Sequence, residues 1–295
     1  MQNPKSITEA VYATICWFDV FEQPVSSEEV QRYLFFQKAN LAEVKKTLKR
    51  DKRIGSSFGF YFLKGKNALV VKRCQRQYRA GKLWQRVLAK RQLFKRIPFL
   101  KLVAVGNTLA MGWPGKKSDI DLLVVTNKEH LFTARIFLTF WLHVLRLRRH
   151  RKKITNRFCL SFFLTDKNLD LKELALKPQD PYLAFWVATL TPVWGNYSDK
   201  LFEANKWLKK YFPNFQKNVS KKKANKKTWL EKLLQGQLGG LLEKQLKNWQ
   251  LRRARQKQKT RKEASAVVIS ENILKFHEKD RRREFLQAWQ ARLKT

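Results

Sequence analysis

The chain has 295 residues, of which 63 are lysine or arginine and 23 are aspartate or glutamate, so its formal net charge at pH 7 is +40. A composition that is 44% hydrophobic is that of a globular protein, and three widely spaced cysteines exclude a disulfide framework and a cysteine-based zinc site. So large a positive surplus favours a polyanionic partner, either nucleic acid or an anionic membrane surface; solvated lysine-rich faces are the alternative.

The first 68 residues predict a small module of three helices and a β-hairpin. Residues 7–21 have helical periodicity, Ser26-Ser27-Glu28-Glu29 is a capping sequence for a second helix, and Asn40 opens a third. RIGSSFGFYFL then predicts two short strands around a turn. This order resembles a winged helix-turn-helix, whose third helix and wing contact nucleic acid or, in other modules, a protein. The basic residues of these two elements are Lys45, Lys46, Lys49, Arg50, Lys52 and Arg53.

Two segments bear on where the chain resides. MQNPKSITEAVYATICWFDVF lacks the basic start, apolar core and cleavage site of a secretory signal, so we expect a cytoplasmic protein. Residues 131–147 are strongly apolar, yet they are short for a bilayer span and include two arginines and a histidine. We therefore predict a buried helix that covers a sheet, and no membrane span.

The central part of the chain predicts an α/β domain. A basic connecting helix over 69–96 leads into residues 97–212, for which we expect a mixed sheet with flanking helices. The predicted strands are 99–105, 119–126 and 158–165, and the predicted helices are about 128–147, 180–190 and 198–211.

After Pro213 the composition becomes strongly basic. We predict a basic linker over 213–228 and a basic helical region over 229–295. Within this region, KFHEKDRR contains Lys275, His277 and Arg281. On a helix, His277 and Arg281 would be i, i+4 neighbours placed to meet a phosphate; a solvated helix face is the alternative reading.

Two aspartates interrupt the second predicted strand of the central domain. Side chains at i and i+2 of a strand point to the same face about 7 Å apart, so Asp119 and Asp121 are expected to project together. Two carboxylates without a basic partner in the strand repel, which predicts a cation between them, and Mg²⁺ or Mn²⁺ suits such a pair. A solvent-facing strand, where alternate polar residues are ordinary, is the alternative.

A glycine loop precedes this strand. Gly106 directly follows the first predicted strand, where glycine lets the backbone turn sharply and lets a phosphate approach the amides of Asn107 and Thr108. The loop from Gly106 to Ser118 is long enough to return the chain, so that a phosphate site would lie beside the metal site.

Together these residues resemble a known signature. Gly106-Asn107, a loop of about ten residues, and then Ser118-Asp119-Ile120-Asp121-Leu122 are similar to the motif of the nucleotidyltransferase-fold (DNA polymerase β-like) superfamily, over roughly residues 97–170. The resemblance implies an α/β sheet, Mg²⁺ on the two aspartates, and a nucleoside triphosphate (NTP) whose phosphates lie on the glycine loop. It also implies transfer of a nucleoside monophosphate to a hydroxyl, with release of pyrophosphate.

The resemblance further implies a third carboxylate on a neighbouring strand. The predicted strand FCLSFFLT, 158–165, has Cys159, Ser161 and Phe163 on one alternating face and no acid on either face. Asp166, just past the end of that strand, is the candidate for the missing acid.

We therefore expect a Mg²⁺-dependent nucleotidyltransferase-like enzyme that acts on a hydroxyl acceptor, with RNA favoured by the basic charge. A protein of the same fold that has lost turnover and serves as a nucleic-acid-binding or regulatory module is the first alternative, which the absent third acid favours. Nucleotidylation of a protein or a small molecule is the second, and the charge gives no reason for it.

Overall fold

The computed structural model describes residues 4–150, 153–217, 229–259, 267–276 and 279–294. These residues form a mixed α/β structure with one six-stranded sheet and one two-stranded sheet. The helices in chain order are α1 (Ile7–Val20), α2 (Ser27–Arg32), α3 (Leu41–Arg50), α4 (Leu69–Lys90), α5 (Asn107–Ala110), α6 (Leu131–Val144), α7 (Pro181–Thr189), α8 (Ser198–Ala204), α9 (Trp229–Leu233), α10 (Gln237–Lys259) and α11 (Arg282–Lys294). The strands are β1 (Ile54–Ser57), β2 (Phe60–Leu63), β3 (Leu100–Val105), β4 (Ile120–Thr126), β5 (Phe158–Thr165), β6 (Thr191–Gly195), β7 (Val268–Ile269) and β8 (Ile273–Lys275).

The amino-terminal elements are the predicted three helices and hairpin. Ser26 and Asn40 cap α2 and α3 with complete capping boxes, in which Glu29 and Glu43 return the bond to the cap backbone. Strands β1 and β2 pair as an antiparallel hairpin. Local sequence signals therefore determine this part of the fold.

The six-stranded sheet has the order β6-β3-β4-β5-β8-β7. Strands β4 and β5 are parallel, and the other neighbouring pairs are antiparallel. The predicted strands 99–105, 119–126 and 158–165 are confirmed as β3, β4 and β5. Strands β6, β7 and β8 were not predicted, because each is short and β6 contains both Pro192 and Gly195.

An irregularity in β5 changes which of its side chains share a face. Asp121 pairs with Cys159, but Leu123 pairs with Phe162, so the register shifts by one residue between the two pairs. Phe162 therefore joins the core on one side of the sheet and Phe163 the core on the other side. The expectation that Phe163 shares a face with Cys159 was wrong, since strict alternation does not continue through the bulge.

One of the two cores joins the amino-terminal helices to the sheet. The Trp17 ring of α1 lies 5.3 Å from the Trp289 ring of α11 and 5.9 Å from the Phe185 ring of α7. The Trp289 indole donates a hydrogen bond to the carbonyl of Ala13 at 2.8 Å. The amino-terminal helices are thus packed into the same hydrophobic cluster as one face of the sheet.

The apolar segment 131–147 forms α6, which packs on β5 and on α10. Glu243 of α10 caps this helix by accepting bonds from the Phe132 and Thr133 amides at 2.9 and 2.7 Å. Among the residues that the structure describes, no helix has both the length and the apolarity needed to cross a bilayer.

The connecting and carboxy-terminal regions differ in part from expectation. Helix α4 ends at Lys90, and the rest of the predicted connecting helix is a 3₁₀ segment, Arg91–Arg96. Of the predicted linker, residues 218–228 lie outside the described part of the chain. Residues 229–295 contain two strands as well as helices, and α11 begins only at Arg282.

Candidate functional site

Asp119 and Asp121 lie together at the amino end of β4. Asp119 immediately precedes the strand, and Asp121 is its second residue. Asp121 pairs across the sheet with Cys159 of β5. Candidate ligand atoms of Asp119, Asp121 and Cys159 all lie within 4.8 Å of one another. The structure therefore brings the two carboxylates together, and the Cys159 thiol is the third candidate ligand group beside them.

A basic partner for the pair comes from another part of the chain. The Arg149 guanidinium donates a hydrogen bond to Asp119 Oδ2 at 2.6 Å and a longer one to Cys159 Sγ at 3.6 Å. The backbone amide of Arg149 donates to the carbonyl of Phe158, which fixes the arginine beside β5. The Arg149 side chain therefore relieves part of the repulsion between the carboxylates. The sequence of the strand alone did not predict this partner.

Burial raises the pKa of both carboxyl groups. For Asp119, desolvation and the charge of Asp121 raise the pKa, while Arg149 opposes the rise. For Asp121, desolvation raises the pKa against hydrogen bonds from Asn107, Cys159 and Ser161. The two carboxylates therefore hold their negative charges at a cost, and a bound cation would reduce that cost.

Cys159 stands where a neighbouring strand could have supplied a third acid. Burial, followed by the charges of Asp121 and Asp119, raises the pKa of its thiol to about 12. Ser161 lies beside it and donates a hydrogen bond to Asp121 Oδ1 at 3.5 Å. Cys159 and Ser161 lie two positions apart on β5 and both reach Asp121, and at neutral pH neither carries a charge.

Asp166 lies at the opposite end of the same two strands. Its backbone amide donates to the carbonyl of Thr126, the last residue of β4, and its carboxylate accepts from the amide of Lys128 at 3.0 Å. In parallel strands that rise about 3.3 Å per residue, this position is many ångströms from Asp121. The structure does not bring Asp166 to the carboxylate pair, because β4 and β5 run in the same direction.

The glycine loop packs against α7. A Cβ on Gly106 would lie 3.3 Å from the Trp186 indole nitrogen, which is tighter than most real contacts, so the close approach of the Trp186 side chain favours glycine. Asn107 adopts the left-handed backbone region at a φ of 52°, and its side chain accepts a bond from Trp186 Nε1 at 2.7 Å. The amide of Gly106 donates to the carbonyl of Asp121 at 3.0 Å. These contacts fix the loop directly beside the aspartates.

Ser118 closes the other end of this loop. Its hydroxyl accepts a hydrogen bond from the Gly115 amide at 2.8 Å and lies 3.4 Å from the hydroxyl of Thr108. Ser118 and Thr108 are therefore held side by side, ten positions apart in sequence. The loop returns the chain to Asp119 as the spacing predicts.

The carboxylate pair and the loop that precedes it both border one cavity of about 320 Å³, a size typical of small-molecule sites. Aromatic rings form much of its wall: Trp186 is stacked on Phe162 at 5.4 Å, and Tyr182 is stacked on Phe285 at 5.0 Å. The lining includes Asn107, Thr108, Ser118, Asp119, Asp121 and Trp186.

A cationic group from the carboxy-terminal region also borders the cavity. It consists of Lys275, Lys279, Arg281 and Arg282. Lys275 is on β8, opposite Phe162 of β5. Desolvation, followed by the charge of Arg282, lowers its pKa to about 8. Arg282 is already engaged with Asp180 and Asp280 at 2.6 Å each.

The structure changes the interpretation of KFHEKDRR. Lys275 is on a strand and Arg281 precedes the first residue of α11, so the two do not share a helix face. Arg281 is exposed and pairs with Glu284. His277 lies outside the described residues. Lys275 thus reaches the cavity through pairing of β8 with β5, which a helical interpretation of this segment did not allow.

The donor set fits a divalent cation that prefers oxygen ligands. Asp119 and Asp121 offer carboxylate oxygens within reach of one ion, and Mg²⁺ or Mn²⁺ commonly takes two carboxylates and completes its shell with phosphates and water. The Cys159 thiol is a softer donor that does not suit Mg²⁺. The chain matches no protein-family model, no curated protein and no solved structure.

Proposed function

We propose that this chain is a nucleotidyltransferase-fold protein that binds an NTP with a divalent cation in the cavity beside Asp121 and transfers its nucleoside monophosphate to a hydroxyl of RNA. One observation carries the proposal: the carboxylate pair, the Asn107–Thr108 segment and Lys275 all border a single cavity with aromatic walls. This combination supplies a place for metal, phosphates and base within one site.

Each part of the cavity then has a role. Asp119 and Asp121 would hold Mg²⁺ or Mn²⁺, which would neutralise phosphate charge. Asn107, Thr108 and Ser118 would donate hydrogen bonds to phosphate oxygens, with Lys275 and Lys279 adding positive charge. The rings of Trp186 and Tyr182 would pack on the base.

The reaction is an in-line displacement at the α-phosphorus. The acceptor hydroxyl oxygen forms a bond to phosphorus, the bond from phosphorus to the pyrophosphate oxygen breaks, and the hydroxyl proton passes to solvent. The protein contributes position and charge to this step, and no covalent intermediate with the chain is required.

Charge and shape at the amino-terminal hairpin support a nucleic-acid acceptor. The order α1-α2-α3-β1-β2 is that of a winged helix-turn-helix, and its α3 side carries the exposed cations Lys46, Lys49 and Lys52. At the tip of the hairpin, Phe58 is 91% exposed. An exposed aromatic ring on a module that also carries exposed cations offers a surface on which an unpaired base can stack.

A specific feature favours a second function, in which the same fold binds its ligands without turnover. Arg149 already neutralises Asp119, and Cys159 with Ser161 occupies the strand position that faces Asp121. A site with two carboxylates, one of them ion-paired, would hold NTP and metal without the third acid that the resemblance implies. Both functions predict that the protein binds NTP and metal. They differ in whether pyrophosphate is formed and released.

The decisive experiment measures NTP binding and pyrophosphate release separately. Wild-type protein is titrated with each fluorescent NTP in Mn²⁺, and then incubated with Mg²⁺, NTP and RNA while pyrophosphate is quantified. We expect the double variant Asp119→Asn/Asp121→Asn to lose on the order of 100-fold in NTP affinity.

The matched control is Asp166→Asn, which removes a carboxylate at the other end of the same strands and should leave the affinity unchanged. Failure of the wild type to bind any NTP contradicts the proposal as a whole. Binding without pyrophosphate release, with RNA and with other hydroxyl acceptors, selects the non-catalytic function.

RNA binding is tested independently by salt. The logarithm of the association constant should fall steeply against the logarithm of salt concentration if several phosphates are neutralised, and Phe58→Ala should weaken binding on the order of tenfold without changing that slope. A flat slope rules out extensive phosphate contact.

A further inference from the structure

A second cavity, of about 500 Å³, lies between the amino-terminal helices and α7. Its lining residues come from α1, α2 and α4 on one side and from α7, β6 and α8 on the other. It shares no described lining residue with the cavity beside Asp121. The helix α7 presents Phe185, Ala188 and Thr189 to the second cavity and Tyr182 and Trp186 to the first.

The walls of this second cavity are mainly flat rings held in place by one another. Trp113 is stacked on Phe185 at 5.7 Å with an interplanar angle of 6° and is also stacked on Phe21 at 5.1 Å. Phe18 meets the Phe185 ring edge-on at 5.5 Å. Because these rings brace each other, the space is preformed, and its shape suits a planar aromatic molecule.

The lining also includes a buried arginine, Arg73. Arg73 is 5% exposed, and it donates to the carbonyl of Pro24 at 2.5 Å and to Glu29 Oε1 at 2.9 Å. Its Nε–H is buried and has no acceptor among the described residues. A buried guanidinium donor without an acceptor is costly, and a ligand oxygen would relieve that cost.

The charged residues of the lining indicate the sign of the ligand's charge. Arg32 also lines the cavity, with its guanidinium 5.3 Å from the Phe215 ring centroid. The charged lining residues in the described structure are therefore two arginines and one glutamate, Glu29. Arginine thus outnumbers glutamate in the described lining, which favours a ligand with a negative charge over one with a positive charge.

We infer that this cavity is a binding site for a flat aromatic molecule that carries one anionic group, such as an aryl carboxylate or aryl sulfonate. The rings of Trp113 and Phe185 pack on the aromatic part, and Arg73 with Arg32 receives the anionic oxygens. The inference does not depend on the proposed nucleotidyl transfer, since no lining residue is shared.

The test uses 8-anilinonaphthalene-1-sulfonate as the probe, with fluorescence and calorimetry on the full chain at high salt, which suppresses non-specific attraction to the basic surface. We expect saturable binding of one probe per chain. The uncharged analogue N-phenyl-1-naphthylamine should bind on the order of tenfold more weakly, because it lacks the sulfonate that Arg73 and Arg32 receive.

Two substitutions fill the cavity from different elements. Ala188→Phe on α7 and Ser198→Phe on α8 should each weaken binding of the sulfonate probe by on the order of tenfold or more. Lys275→Met, in the other cavity, is the matched control and should leave the affinity unchanged. Circular dichroism establishes that each variant is folded.

A photoreactive azido derivative of the same probe maps the site in the wild-type protein without any substitution. Adducts on residues 110–113 or on Phe185, Ala188 or Thr189 of α7 support the inference even if a filling variant does not fold. Adducts confined to other regions, non-saturable binding, equal affinity for the uncharged analogue, or unchanged affinity in folded Ala188→Phe protein would each overturn it.

Discussion

The two ends of the parallel pair β4–β5 use their acidic side chains in opposite ways. At one end, Asp121 lies partly buried beside Cys159 and borders a cavity. At the other end, Asp166 accepts a bond from the amide of Lys128 and closes a turn. The first carboxyl is held in surroundings that raise its pKa, whereas the second stabilises local backbone. The two strands thus have a cavity end and a structural end, and substitutions at each end test that separation.

The largest expected effect comes from adding a third acid at the cavity end. Cys159→Asp would place a third carboxylate at a position whose thiol now lies within 4.8 Å of the pair. We expect affinity for Mn²⁺ to rise on the order of 30-fold, because ligand charge sets the affinity of such sites. Calorimetric titration measures it, and Cys159→Ser, which adds no charge, is the control. Unchanged affinity in Cys159→Asp would show that this position does not face the ion.

The next effect concerns stability in the absence of metal. Burial raises the pKa of Asp121, so this group stabilises the fold at pH values below its unfolded pKa, and that contribution is lost as the pH rises through the folded pKa. Asp121→Asn removes the buried charge and should increase the free energy of unfolding at pH 7 by about 1–2 kcal/mol in EDTA.

Thermal unfolding at pH 4 and pH 7 checks this sign. The difference between Asp121→Asn and wild type should grow with pH and reach roughly 2–8 °C in Tm. A variant that is less stable than wild type at pH 7 would contradict the view that the charge of Asp121 is held at a cost.

A smaller effect is expected from Lys275. Its pKa of about 8 means that the ammonium is charged below pH 8 and loses its proton as the pH rises through that value. NTP affinity should therefore fall on the order of fivefold between pH 7 and pH 9, as one phosphate contact loses its charge. Lys275→Met should remove this pH dependence. Lys279→Met, which changes an exposed lysine of the same cavity, should retain the pH dependence. If the NTP affinity of the wild type does not depend on pH, Lys275 does not contact the phosphates.

The smallest effect is expected at the structural end. Asp166→Ala removes the acceptor of one backbone bond, to the amide of Lys128, and should lower the free energy of unfolding by about 0.5–1 kcal/mol. Chemical denaturation measures this difference, and affinity for Mn²⁺ should not change. A loss of affinity for Mn²⁺ in Asp166→Ala would contradict the view that only the end with Asp119 and Asp121 binds metal.

Much of the fold follows from local sequence signals. Capping residues such as Ser26 and Asn40 mark helix starts, and apolar runs mark β3, β4 and β5. Strand β6 escapes such signals, because Pro192 and Gly195 are uncommon in strands. Gly195 is required by packing, since a Cβ there would lie 2.1 Å from the carbonyl oxygen of Lys101 on the neighbouring strand.

The candidate site is predictable only in part. The alternation that places Asp119 with Asp121 is local, and so is the glycine loop before them. Arg149 and Cys159 reach the pair through the parallel pairing of β5, and Trp186 reaches Asn107 through the packing of α7. These contacts join residues 30 to 79 positions apart, which periodicity does not encode. The bulge in β5 has no residue signature of its own.

The contact of α11 with α1 has a consequence for the protein while it is being synthesised. Trp289 donates its bond to Ala13 across 276 positions. A ribosome adds roughly 5–20 residues per second, so Ala13 exists for roughly 14–55 s before Trp289 has been made. During that time the tryptophan face of α1 lacks the helix that covers it. The pace of synthesis therefore sets how long this face of the nascent chain stays open to other molecules.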